Sequence, residues 1–124
     1  MTNGYIQIDI LGKMRGLKFG MIAVEQITRD AQRLGKYLGP SVDFAMVAVI
    51  VYWGLYNNCH VKREDPDFTF EDVSDYVDEH ITETQKFQDV VQCFYQSKLV
   101  AGNMVGDKSE KKNTTLKQKK GGTN

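Results

Sequence analysis

Cysteine is scarce in this chain of 124 residues: Cys59 and Cys93 stand far apart and no Cys-x-x-Cys spacing occurs. That excludes reading a disulfide framework or a four-cysteine zinc site, and two reduced thiols in a cytoplasm are the expectation. Histidine is as scarce, and although His60 adjoins Cys59, neither His80 nor Cys93 supplies the spacing that would complete a metal site. Long apolar runs are missing as well. The longest, Phe44 to Trp53, covers ten residues, about half of the roughly 20 needed to cross a bilayer as a helix, so it is expected to be a core element and no membrane partner is expected. Met1-Thr2-Asn3-Gly4 has neither a charged n-region nor an apolar h-region, so no secretory leader is expected. Net charge is absent too, since 16 basic residues balance 16 acidic ones.

The balance hides an uneven distribution. Residues 1 to 106 carry 10 Lys/Arg against 14 Asp/Glu, and residues 107 to 124 carry 6 against 2. From Glu64 to Asp89 there are ten acidic residues and one basic one, Lys86. Such a body does not suit a phosphate backbone, and any nucleic-acid contact would fall to the tail. Length and composition indicate one domain, residues 1–105, followed by a Lys-rich tail, residues 106–124. Beyond Gly106 the only apolar side chain is Leu116, too little to offset the entropy of ordering, so the tail is expected to be disordered alone.

Tyr5, Ile6, Ile8, Ile10 and Leu11 make a short strand pattern, with Gly12-Lys13 as the expected turn and Arg15 to Phe19 as the return strand. From Phe19 the period becomes helical. Phe19, Ile22, Ala23, Gln26, Ile27 and Leu34 share one stripe, and Gly35 and Gly39-Pro40 supply a stop, which predicts a helix over about 19 to 35. Ser41 is placed to cap a second helix with Phe44 to Leu55 as its body, apolar nearly all round and therefore central; the Val/Ile content would equally suit a buried strand, and the length of the stretch with its flanks, Ser41 to Asn57, favours the helix. Asn57 to Pro66 then reads as a polar loop. Thr69 at an N-cap, Asp72 three residues on, and Phe68 facing Val73 across the first turn punctuate a third helix to about His80, with Phe70, Val73, Tyr76 and Val77 inward. Its early acids suit the N-terminal dipole. A fourth helix, about Glu83 to Leu99, buries Phe87, Val90, Val91 and Phe94. The fold class is α+β, mostly α: a short N-terminal β-hairpin, a compact four-helix domain and a disordered basic tail.

No pattern of catalytic residues accompanies this architecture. Asp65-x-Asp67-x-Thr69-x-Glu71 alternates oxygen ligands as a calcium loop does, but Phe70 stands where the loop glycine belongs and Tyr76 where the closing carboxylate belongs. A plain loop and helix cap is the favoured reading. Gly12-x-x-x-Gly16-x-x-x-Gly20 lacks the Gly-Lys-Ser/Thr ending of a phosphate loop. No nucleophile elbow or Gly-rich oxyanion loop surrounds either cysteine. Tyr52, Trp53 and Tyr56 could form an aromatic binding surface, with core packing favoured. No catalytic, cofactor-binding or metal residue is therefore expected.

Taken in order, the hairpin, Leu17-Lys18-Phe19-Gly20-Met21-Ile22-Ala23-Val24-Glu25-Gln26-Ile27, the apolar helix ending Tyr52-Trp53-Gly54-Leu55, and Asp67-Phe68-Thr69-Phe70-Glu71-Asp72-Val73-Ser74-Asp75-Tyr76-Val77-Asp78 resemble the tail assembly chaperones of long-tailed bacteriophages. The resemblance covers roughly residues 5 to 100 and lies in the order and spacing of the pieces. It implies a small acidic helical protein of the host cytoplasm. Such a protein binds the tape measure protein, keeps it soluble while tail-tube subunits assemble, and is absent from the finished particle. It further implies several copies on the client or a homo-oligomer, contact with tail tube protein as a possible extra, and identity with the shorter, non-frameshifted product of its region. The Cys59-His60-Val61-Lys62-Arg63 insertion and the irregular turn Gly12-Lys13-Met14-Arg15-Gly16 depart from the family's look. On this reading a groove between the third and fourth helices holds the client, edged by Phe70, Tyr76, Tyr95 and Leu99 and rimmed by Asp72, Asp75, Asp78 and Glu79. The alternative is a small helical regulatory or nucleic-acid-associated protein using its basic tail, for which steep salt dependence is the discriminating property. A small enzyme built on Cys59 or Cys93 would instead need a thiol of depressed pKa.

Overall fold

The computed structural model describes residues 4–36, 38 and 44–97. The expected Ser41 cap, Leu99 and the tail from Gly106 lie outside them; the fourth helix, expected to run to about Leu99, ends at Gln96, where Ser97 turns extended. The order of elements is β1 (Tyr5–Ile10), β2 (Lys13–Lys18), α1 (Met21–Arg33), α2 (Phe44–Lys62), α3 (Phe70–Glu79) and α4 (Thr84–Gln96). A two-stranded antiparallel hairpin followed by four helices is the fold class that the periodicities predict.

The hairpin pairs Tyr5 with Lys18 through to Ile10 with Lys13. Its turn is Leu11-Gly12, not Gly12-Lys13, and the return strand starts at Lys13 rather than Arg15. Leu11 and Gly12 both have positive φ, 55° and 87°, the conformation a two-residue turn needs to match the twist of its strands. Alternation then sorts the faces: Ile8, Ile10 and Leu17 are buried, while Gln7 and Asp9 point to solvent.

α1 buries Ala23, Ile27 and Ala31 at four-residue spacing. Leu34, expected on that stripe, is 43% exposed. The helix ends one residue earlier, at Arg33, and Ala31 takes the core position. The Gly35 N–H reaches Gln32 O at 3.1 Å and the Lys36 N–H reaches Ala31 O at 2.8 Å, closing the helix with a Schellman motif around Gly35.

α2 is the axis of the molecule, packed by β2, α1, α3 and α4. Met46 to Val51 are all buried, as an all-round apolar helix in the centre of a core requires. Its middle admits the hairpin closely: a Cβ added at Gly54 would lie 2.9 Å from two ring atoms of Phe19. The expected end near Leu55 is wrong. The helix continues through Asn57 and Asn58, both buried, to Lys62, which shortens the predicted polar loop by more than half. At 19 residues α2 is long and apolar enough by composition to cross a membrane, and half of that window is buried inside this fold.

α3 has a complete capping box. The Asp72 N–H donates to Thr69 Oγ1 at 3.1 Å and the Thr69 N–H donates to Asp72 Oδ2 at 2.9 Å. Phe68 and Val73 are both buried in the main core, as the staple expects. Phe70, expected inward, is 39% exposed because the first helical position turns its ring outward, edge-on to Tyr52 at 5.6 Å. α4 buries Phe87, Val90 and Phe94, and Phe94 meets Phe19 edge-on at 5.6 Å. Each such side chain contributes about 1.5–3 kcal/mol of transfer free energy.

Candidate functional site

Helical spacing sends positions 72, 75, 76 and 79 to one side of α3. There Asp72, Asp75, Tyr76 and Glu79 line a cleft of about 240 Å³ together with Leu11, Arg15, Asp67 and Phe68. The cleft lies between α3 and the hairpin turn. The structure therefore brings four of the predicted site residues together and leaves the others elsewhere. Asp78 is exposed outside the cleft. Phe70 belongs to the aromatic cluster described below, and Tyr95 is half-buried on α4 against Phe94, with ring centroids 5.0 Å apart.

Between α3 and α4 the space beside Tyr76 is occupied by polar contacts. The Tyr76 hydroxyl donates to Asp9 O at 3.2 Å. Lys86 Nζ donates to the Tyr76 hydroxyl at 2.6 Å and to Asp9 O at 2.7 Å, and it pairs with Glu83 at 2.9 Å. The His80 ring stacks on Tyr76 at 4.0 Å and contacts Glu83 at 2.5 Å. Partial burial works against the charge on Lys86, but the hydrogen bonds to Tyr76 and Glu83 outweigh it and push its pKa up. Glu83 is held below the usual carboxylate range by His80 and then Lys86. The one base of the acidic segment is thus spent inside the fold, tying α4 to α3 and β1. Asp75, Asp78 and Glu79 have no cationic partner among the described residues.

Arg15, which the sequence marks only as part of an irregular turn and the start of the return strand, holds one end of the cleft. Its side chain is 12% exposed, and its guanidinium binds both oxygens of Asp67, at 2.6 and 3.4 Å. It also donates to Ile10 O and Leu11 O, at 3.0 and 3.1 Å, and lies 5.7 Å over the Phe68 ring. The hydrogen bond from Arg15 pulls the Asp67 carboxyl below its ordinary range. This contribution is full above the unfolded pKa and is lost as pH falls through the lower folded value. Arg15 fixes the strained Leu11 turn against the loop before α3, a role no local pattern in the sequence reveals.

Tyr52 and Trp53 pack against the core on one side and, like Tyr56, remain half-buried. The core reading favoured for them holds for one face only. The Asp65–Glu71 segment also has ordinary employment: Asp67 binds Arg15 and stands 3.7 Å from Lys13, and Thr69 caps α3. Among the described residues no group of three or more His, Cys, Asp or Glu is placed to hold a metal ion. Burial, then Glu64 and Asp67, push the Cys59 thiol up, and burial pushes Cys93 up. That direction is opposite to the one an activated thiolate requires. Comparison with family models, with curated proteins and with solved structures gives no match.

Proposed function

We propose that this chain is a non-catalytic tail assembly chaperone of a long-tailed bacteriophage, which binds the tape measure protein in the host cytoplasm and keeps it soluble during tail-tube assembly. The ordered sequence resemblance suggests the class. The observation that carries the reading is the α3 surface, where Asp75 and Glu79, without an ion-pair partner among the described residues, flank Leu11, Phe68 and Tyr76 in one cleft.

A tape measure protein is a very long helix with apolar stripes, and such stripes aggregate when left uncovered. A small helical domain can cover them with its own apolar surface while rim carboxylates meet client Lys or Arg. Several copies would line one client. The raised thiol pKa values support a binding role over thiol chemistry, and the acidic body supports a protein client over nucleic acid.

The test is the triple variant Asp75→Lys, Asp78→Lys, Glu79→Lys. All three residues are exposed, so the domain is expected to keep its helical circular dichroism and lose at least tenfold in affinity for the client. Unchanged binding refutes the rim.

A further inference from the structure

The open side of α2 has no role in the core. Around it the other elements seal Met46 to Val51, yet Tyr52, Trp53 and Tyr56 stay half-exposed. Their rings form a cluster that Phe70 of α3 joins: centroids are 4.9 Å apart from Tyr52 to Trp53, 5.3 Å from Trp53 to Tyr56, 6.2 Å from Tyr52 to Tyr56, and 5.6 Å from Phe70 to Tyr52. At the other edge the Trp53 Nε1–H donates to Asp30 of α1 at 2.9 Å. The cluster therefore lies over α2 between α3 and α1. Beyond Tyr56 it meets a concavity of about 530 Å³ walled by Val61, Glu64 and Asp65.

Charge around this face is uneven. Glu64, Asp65 and Glu71 are exposed carboxylates, and Glu71 lies close enough to Tyr52 to act on its hydroxyl. Against them stand Arg63, which also lines the concavity, and Lys62 at the end of α2, close enough to act on Cys59 in its wall. Asp30 is already balanced by Arg33 at 3.3 Å. Aromatic faces attract cations, most of all Trp and Tyr. Half-exposed Trp and Tyr clusters are also where interfaces concentrate their binding energy.

We propose that this aromatic face is a docking groove for a cationic amphipathic helix of a partner protein, with apolar side chains laid on the ring cluster and Lys or Arg directed at Glu64, Asp65 and Glu71. The inference rests on the chaperone reading only for whose helix it is. A second copy of the chain would bring the same three carboxylates against themselves, a like-charge encounter that disfavours self-pairing. The chain's own residues 107–124 supply six lysines but only Leu116 as an apolar side chain, too little to cover four rings.

Trp53 is the one tryptophan of the chain, so its fluorescence reports on this groove. The full-length protein is titrated with a tryptophan-free helical peptide of Leu and Lys at amphipathic spacing, and with its Leu and Glu counterpart. A saturable blue shift with the Lys peptide is expected, at an affinity at least tenfold above that of the Glu peptide. Glu64→Lys with Asp65→Lys, both in an exposed loop, is expected to remove that preference. The groove proposal is overturned by no shift, by equal response to both peptides, or by a shift with protein concentration alone, which would mark a second copy as occupant. It is also overturned if replacing all six tail lysines by Gln changes the emission of the peptide-free protein, which would mark the tail as occupant. A client complex that forms with Trp53 emission unchanged removes the groove and leaves the chaperone reading standing. Peptide binding without any effect on client solubility does the reverse.

Discussion

Asn57 shows how one side chain can join two elements. A polar residue in an apolar helix is costly when buried without partners. Here Asn57 Oδ1 accepts from the Gly20 N–H and the Ala23 N–H, both at 3.0 Å. Gly20, the N-cap of α1, has no side chain to perform that task. The start of α1 is therefore capped from α2, across 37 positions of sequence. Asn57→Ala is expected to cost about 1–3 kcal/mol, because two helix-end donors lose their partner inside the protein. Urea denaturation measures it, and a stability equal to wild type would mean that the cap does no such work. Local pattern reading places Asn57 in a loop, since asparagine normally breaks apolar runs. Only the tertiary donors explain why the helix continues through it.

Elements with self-contained signals are the ones legible in the sequence. α3 starts where Thr69, Asp72 and the Phe68–Val73 pair say it does, because every group in a capping box lies within a few residues of the others. The hairpin was visible by alternation, but its turn was placed one residue late: Leu11 occupies a left-handed conformation that favours Asn or Gly. Three Arg15 contacts, to Ile10, Leu11 and Asp67, hold that conformation, and the last of these comes from a distant segment. The end of α2 repeats the theme. The Arg63 N–H donates to His60 O at 3.1 Å and the Glu64 N–H to Cys59 O at 2.9 Å, a Schellman motif with Arg63 at φ 59° where glycine is usual. A non-glycine residue there carries strain of roughly 1–2 kcal/mol, partly offset by its smaller unfolded-state entropy. Arg63→Gly is accordingly expected to stabilise the fold by about 0.5–1 kcal/mol. A lower midpoint in chemical denaturation would show that the Arg63 side chain contributes more than its backbone costs.

At the scale of the whole molecule, carboxylates stand beside apolar surface on two faces of one core. The acidic excess was countable in the sequence, and so was the solitary Lys86. That Lys86 is consumed by Tyr76, Asp9 and Glu83, leaving Asp75 and Glu79 unopposed, depends on three elements meeting in space. The candidate site was legible as a face of α3, through the spacing of Asp72, Asp75, Tyr76 and Glu79. Its other wall was not, because Leu11 and Arg15 come from a hairpin more than fifty residues earlier. The aromatic cluster is hidden for a similar reason: Tyr52 and Trp53 read as core until α1 and α3 are seen to border, without covering, their outer edges. Both surfaces suit a long helical client carrying Lys or Arg beside apolar stripes. Co-expression with the large helical protein encoded nearest downstream, followed by size-exclusion chromatography of the soluble fraction, bears on this most directly. A chaperone should make the long protein soluble only in a complex that contains this chain. A long protein that is equally soluble and elutes identically by itself would contradict that function.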